Sequence, residues 1–124
     1  MDRKSFYELV ERMAKDEIET IDSKGEEYTG GSSDVLNNFK GAATNIGLTP
    51  LQIWATFANK HWQSIMSYVR TGKEGSEENI EGRIKDLRNY LTFLRALIEE
   101  NKTSRPQPSP KPYQAAPKKE EAVF

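Results

Sequence analysis

Cysteine is absent from this 124-residue chain. That excludes a disulfide scaffold, a cysteine-ligated zinc site and thiol catalysis, and it fits a reducing compartment. Apolar residues are scarce at 35%, below the usual ~45–50%, while charged residues reach 30%. No apolar run approaches the roughly 18 residues of a membrane span. The opening Met-Asp-Arg-Lys-Ser-Phe lacks the apolar core of a secretory signal. A cytoplasmic protein with no membrane partner is the expectation. Also missing is any sustained alternation of apolar and polar residues rich in β-branched side chains, so strands are not expected, and no internal repeat is visible.

The apolar deficit is uneven. From Lys102 to Phe124 there are five prolines, five Lys/Arg and two Glu, with almost no aliphatic residues. Such a stretch cannot bury enough surface to offset the entropy of ordering itself, so it reads as a disordered tail. Residues 1–101 then form one domain of ordinary small size. That body holds 13 Lys/Arg against 17 Asp/Glu. A net-acidic surface is a poor partner for nucleic acid, where affinity comes mainly from neutralised phosphates. It suits a protein that binds small anions through a few placed cations or a metal. The basic tail reads as a solvated appendage, with a weak contact to nucleic acid or an acidic partner as the other option.

Four helices are predicted in the body. The first covers about Arg3 to Ser23, with Phe6, Leu9/Val10, Met13, Ile18 and Ile21 on one face. Gly25 reads as its stop, and Gly30-Gly31-Ser32-Ser33 as a loop. Ser33 or Asp34 can cap a short second helix carrying Leu36, Phe39, Ala42, Ala43 and Ile46 and ending at Gly47. Thr49-Pro50-Leu51-Gln52 opens the third with a capping box and a proline at the first helical position, and Thr71-Gly72 closes it. Ser76 followed by Glu77 and Glu78 reads as the start of the last helix, which runs to about Asn101. The expected fold is an all-α, four-helix bundle-like single domain.

Several residues sit awkwardly in that frame. On the last helix Ile80, Ile84, Leu87, Leu91, Leu94 and Ile98 fall on one line, read as the core stripe, while Glu81, Lys85, Arg88, Thr92, Arg95 and Glu99 form the solvent stripe. Tyr90, Phe93 and Leu97 widen the apolar arc, and Arg83, Asp86 and Asn89 lie within it or at its edge. Polar groups in such an arc need partners. Either Arg83 and Asp86 satisfy each other one turn apart, or they serve a substrate or metal. On the third helix Trp54, Phe57/Ala58, Ile65 and Tyr68/Val69 define the buried face, and His61 falls on the same line beside Lys60 and Trp62. A histidine there is ordinarily a hydrogen-bonded core residue; with Lys60 it also makes a credible phosphate contact. Glu19, Asp22 and Glu26 share a face of the first helical stretch, as either a solvated acidic surface or ligands for a hard cation. The aromatic surface of the last two helices exceeds what two short neighbours can cover, which points to a homo-oligomer.

Taken in order, Lys24-Gly25-Glu26-Glu27-Tyr28, Asn38-Phe39, Lys60-His61 and the run Glu78, Ile80, Arg83-Ile84, Asp86-Leu87, Asn89-Tyr90 resemble small phage-encoded proteins of the nucleotide-modification-associated domain 1 type. These are similar in turn to the all-α, MazG-like and dimeric dUTPase-like nucleoside triphosphate pyrophosphohydrolases. The resemblance covers about Phe6 to Glu100. It implies a four-helix unit in the cytoplasm of a host bacterial cell, oligomeric, binding a nucleotide through Mg²⁺ and hydrolysing its phosphate chain. By motif position Glu27, Glu78 and Asp86 would be catalytic and metal-binding, and Lys60 and Arg83 would contact phosphates, with His61, Asn89 and Tyr90 beside them. The sequence departs from the pattern at Gly82, where an Asp is usual. A missing carboxylate weakens a metal cage, so a nucleotide-sequestering protein without turnover is the alternative. A phage accessory protein acting through a host protein is another. A glycine inside a helix also suggests close approach of another backbone or a ligand.

Overall fold

Local capping chemistry sets where the helices begin and end. The computed structural model describes residues 1–29, 31–75 and 78–104. Its first helix, α1 (Arg3–Ser23), starts where the Asp2 carboxylate accepts from the Ser5 amide at 2.9 Å. The chain breaks at Lys24, as the glycine beside it suggested, but resumes at once as the short α2 (Gly25–Thr29). In α3 (Asn37–Ile46) the helix N-cap is Leu36, which provides no side-chain cap; Asp34 acts one step earlier by accepting from the Leu36 amide at 2.9 Å. Gly47 ends α3 in the left-handed region at φ 73°, a conformation that favours glycine. The capping box expected at Thr49 and Gln52 is fully formed at the head of α4 (Pro50–Thr71), and Gly72 closes that helix.

The last helix, α5 (Ile80–Ser104), departs from expectation at its start. Ser76 and Glu77 lie outside the described residues, and Glu78 precedes the helix. Asn79 does the capping, with its side-chain oxygen accepting from the Gly82 amide at 2.8 Å. The helix also runs past Asn101 to Ser104; the remainder of the expected tail lies outside the described residues.

The core lies where α3, α4 and α5 meet. Leu36, Phe39 and Ala43 pack with Ile53, Phe93 and Leu97, and Trp54, Phe57 and Tyr90 close around them. Phe39 is the hub, its ring centroid lying 5.5–6.2 Å from those of Phe57, Tyr90 and Phe93. The Trp54 indole N–H donates to the Tyr90 carbonyl, tying α4 to α5. Lys40 on α3 bridges Asp34 and Glu100, linking the loop before α3 to the far end of α5. On the other side, α1 packs on α5 with Glu17 paired to Arg88 at 2.6 Å. The architecture is a four-helix bundle with one extra helical turn.

The expected face of α5 is rotated. The buried positions of α5 are Asn89, Phe93 and Leu97, roughly 140° round the helix from the aliphatic line at 100° per residue. Ile84 and Leu91 on that line are 36% and 49% exposed. The physical reason is ring area: the aromatic arc of α5 meets Phe39 and Phe57, and large rings bury more surface per contact than aliphatic chains. On α4 the expected face holds at Trp54, Phe57 and Ala58, with Ile53 buried beside them, while Val69 at its end is 67% exposed. On α1, Phe6, Val10 and Ile18 are exposed because, among the described residues, the helix packs only on α5 and α2. Among the described residues no helix is long and apolar enough to cross a membrane.

Candidate functional site

The second half of α4 and the start of α5 run side by side and bring their charged residues to one opening. Lys60, His61 and Ser64 come from successive turns of α4; Arg83 and Asp86 come from the first two turns of α5, and Glu78 from the segment before it. A cavity of about 540 Å³ is lined by Lys60, His61, Ser64, Glu78 and Arg83. A second, of about 220 Å³, shares Ser64, Glu78 and Arg83 and extends along Tyr68, Lys73 and Glu74.

Arg83 and Asp86 do not satisfy each other. The Arg83 guanidinium donates to the Ser64 hydroxyl at 2.8 Å, while Asp86 Oδ2 lies 3.9 Å from His61 Nδ1. The Asp86 carboxyl is also a close neighbour of Glu78 and acts on its charge. Two carboxyls in contact repel when both are charged. Accordingly Glu78 is held above the usual carboxylate range, first by loss of water around its carboxyl, then by the Asp86 charge; Arg83 and Lys24 act the other way. Burial pushes His61 below its ordinary value, with Lys60 and Arg83 adding to that and Asp86 opposing it. The His61 ring lies 4.9 Å from that of Tyr90, and its Nδ1 is buried without a hydrogen bond. Burial and then Asp86 raise the Tyr90 phenol.

Gly82 has a local explanation. A Cβ there would lie 2.9 Å from Glu78 Oε1 and 3.2 Å from Glu78 Cγ. The close approach that the glycine permits is therefore that of the Glu78 side chain folding over the first turn of α5, and neither a backbone nor a ligand is needed to account for it.

Of the residues singled out from sequence, the structure brings together Lys60, His61, Glu78, Arg83, Asp86 and Tyr90. Asn89 is 2% exposed on the core side of α5, and both atoms of its amide lack a partner. Glu27 has an exposed side chain, and its backbone carbonyl accepts from Asn38 at 3.0 Å. Among the described residues no three His, Asp or Glu side chains are grouped to hold a metal ion, so Glu27, Glu78 and Asp86 do not form such a set. Ser64, the partner of Arg83, went unrecognised in the sequence. Its position one turn beyond Lys60 and His61 was the available signal.

The donor set fits one arrangement of Mg²⁺. Glu78 and Asp86 offer hard oxygen ligands side by side, and Mg²⁺ is commonly held by one or two carboxylates, with substrate phosphates and water completing the shell. They do not make an all-protein cage. Compared with known proteins, the chain matches no family model, no curated protein and no solved structure.

Proposed function

We propose that this domain binds the phosphate chain of a nucleotide, together with Mg²⁺, in the cavity between α4 and the start of α5, and that it acts as a nucleotide pyrophosphohydrolase. The observation that carries this reading is the open cavity lined by Lys60, His61, Ser64, Glu78 and Arg83, with Asp86 near enough to Glu78 to raise its carboxyl. Carboxyls kept together at an opening need a proton or a cation between them. The resemblance of the residue order to MazG-like proteins supports the nucleotide as ligand.

In this reading Glu78 and Asp86 hold the cation, which when bound supplies polarisation of the phosphate oxygens and a more acidic water. Arg83, kept in place by Ser64, presents its remaining donors to phosphate. Lys60, exposed at the rim, adds a mobile positive charge. His61 is held neutral by burial and backs Asp86. A second reading, capture of a nucleotide without turnover, is favoured by one observation: the third motif carboxylate, Glu27, is not assembled with the other two.

The test is a thermal-shift screen of nucleoside mono-, di- and triphosphates with and without Mg²⁺, followed by product analysis of each hit. Mg²⁺-dependent stabilisation with release of pyrophosphate or phosphate is expected. Stabilisation without product selects the second reading, and no stabilisation by any nucleotide removes both. Asp86→Asn and Lys60→Ala should each abolish or weaken the response, while Glu11→Ala on exposed α1 should leave it intact.

A further inference from the structure

The last two turns of α4 carry a stripe of hydroxyls that the core does not use. Ser64, Ser67, Tyr68 and Thr71 follow one another at i, i+3, i+4 and i+7, the spacing of one helix face. They line the cavity of about 220 Å³ that adjoins the larger one across Arg83. Arg83 is the wall between the two. Its guanidinium donates to Ser64 at 2.8 Å, and the loop after α4 lies so close that a Cβ at Gly75 would come within 3.3 Å of Nη2. Glu74 lines the same cavity, and its Oε1 accepts from the Ile80 amide at 3.1 Å at the head of α5. That bond anchors the carboxylate and leaves most of its acceptor capacity unused. Among the described residues no hydrogen bond engages the hydroxyl of Ser67 or of Tyr68.

We infer that this smaller cavity takes the sugar of the nucleotide, and that its lining selects ribose over 2′-deoxyribose; the inference rests on the phosphate site proposed above. Charge is the first argument. The lining holds two cations, Lys73 and Arg83, and two carboxylates, Glu74 and Glu78. A further phosphate would meet as much negative charge as positive, so the space suits a neutral polar group. A nucleobase calls for apolar and aromatic walls, and the lining supplies one aromatic ring, that of Tyr68. Size agrees, since about 220 Å³ falls below the ~300–1,000 Å³ of pockets that enclose whole drug-sized ligands. A single pentose ring, joined through its 5′ oxygen to a phosphate at Arg83, matches that space, with the base left outside. The two hydroxyls of ribose form a cis-diol, which a carboxylate accepts as a pair, while Ser67 and Tyr68 donate back to the diol oxygens. The deoxy sugar lacks one hydroxyl of that pair. A site that hydrogen-bonds a hydroxyl loses affinity without it, because its own polar groups are left unpaired.

Calorimetric titration of the full chain with Mg²⁺ and each of ATP, GTP, CTP and UTP, beside their 2′-deoxy counterparts, tests the assignment. At least one ribonucleotide is expected to bind about tenfold or more tighter than its deoxy form. Glu74→Gln keeps an acceptor for the Ile80 amide but removes the charge that takes the diol. Ser67→Ala changes an exposed position, so both variants should fold. Each should cut the ribose preference to about threefold or less by weakening the ribonucleotide. Inorganic tripolyphosphate with Mg²⁺ engages the phosphate site alone, and should bind the wild type and both variants within about threefold of one another. Nucleotides bound with no preference between ribose and deoxyribose overturn the sugar assignment and leave the phosphate site standing. A preference indifferent to both Glu74→Gln and Ser67→Ala overturns it too. Binding of neither the nucleotides nor tripolyphosphate removes the phosphate site, and this inference with it.

Discussion

Glu78 is where the molecule works against itself. Its carboxyl gains protons more readily in the folded chain, through loss of water and then the Asp86 charge. A group shifted in this direction adds stability only at low pH, and the contribution is lost as pH rises through the folded value. At neutral pH, without a cation, the charged Glu78 is a strain. Glu78→Gln should therefore raise Tm at pH 7 by about 2–4 °C, a small figure because the residue is exposed to screening solvent. The same variant should lose the Mg²⁺-dependent response to nucleotides; a fall in Tm instead would mean that the charge is structural. His61 has the opposite sign. Burial lowers its folded value, so the unfolded chain takes the proton first. Its contribution is complete above about pH 6.5 and lost as pH falls from there through the folded value. Urea titrations between pH 7 and pH 5.5 should show that decline in the wild type, and His61→Gln should flatten it.

Helix ends were legible wherever the chemistry is local. Thr49, Pro50 and Gln52 specify the head of α4 within four residues, and the box forms as written. Gly47 and Gly72 mark two ends for the same reason. Faces were less legible, because spacing reports which side of a helix is apolar and says nothing of what it will meet. α5 has two apolar sides, and the more regular one lost the core to Tyr90, Phe93 and Leu97, whose partners sit on other helices. The site was legible in its charged members, since Lys60, His61, Arg83 and Asp86 are polar groups on otherwise apolar arcs. Ser64 was less so, because its place one turn beyond Lys60 does not say which guanidinium it holds. The start of α5 carries an expected trade-off. Gly82→Ala supplies a better helix former, worth about 1 kcal/mol, yet its Cβ meets Glu78 Oε1 at 2.9 Å and must displace that carboxyl. Chemical denaturation should show a gain in stability, and nucleotide titration with Mg²⁺ a weaker affinity, in the same protein.

The whole molecule rests on few buried side chains. Among the described residues Leu36, Phe39, Ala43, Ile53, Ala58, Phe93 and Leu97 make up the buried apolar set, while Phe6, Tyr7, Ile18, Trp62 and Val69 remain about half exposed or more. A domain with so small a core has little reserve, since typical totals are only about 5–15 kcal/mol. Phe39 touches three other rings, and Phe39→Ala should cost about 3–5 kcal/mol. Calorimetry should find most of the folding transition lost, whereas Val69→Ala, at a position 67% exposed, should shift it by no more than about 0.5 kcal/mol. If both substitutions cost alike, the core lies elsewhere.

Trp54 and Trp62 stand on one helix but in two optical environments. The Trp54 ring is packed against the core with its N–H bonded to the Tyr90 carbonyl, and Trp62 is 49% exposed. The intrinsic emission of the protein is therefore a sum of two colours, a bluer one shielded from acrylamide and a redder one open to it. Opening of the α4–α5 contact changes the first, while events on the outer face of α4 change the second.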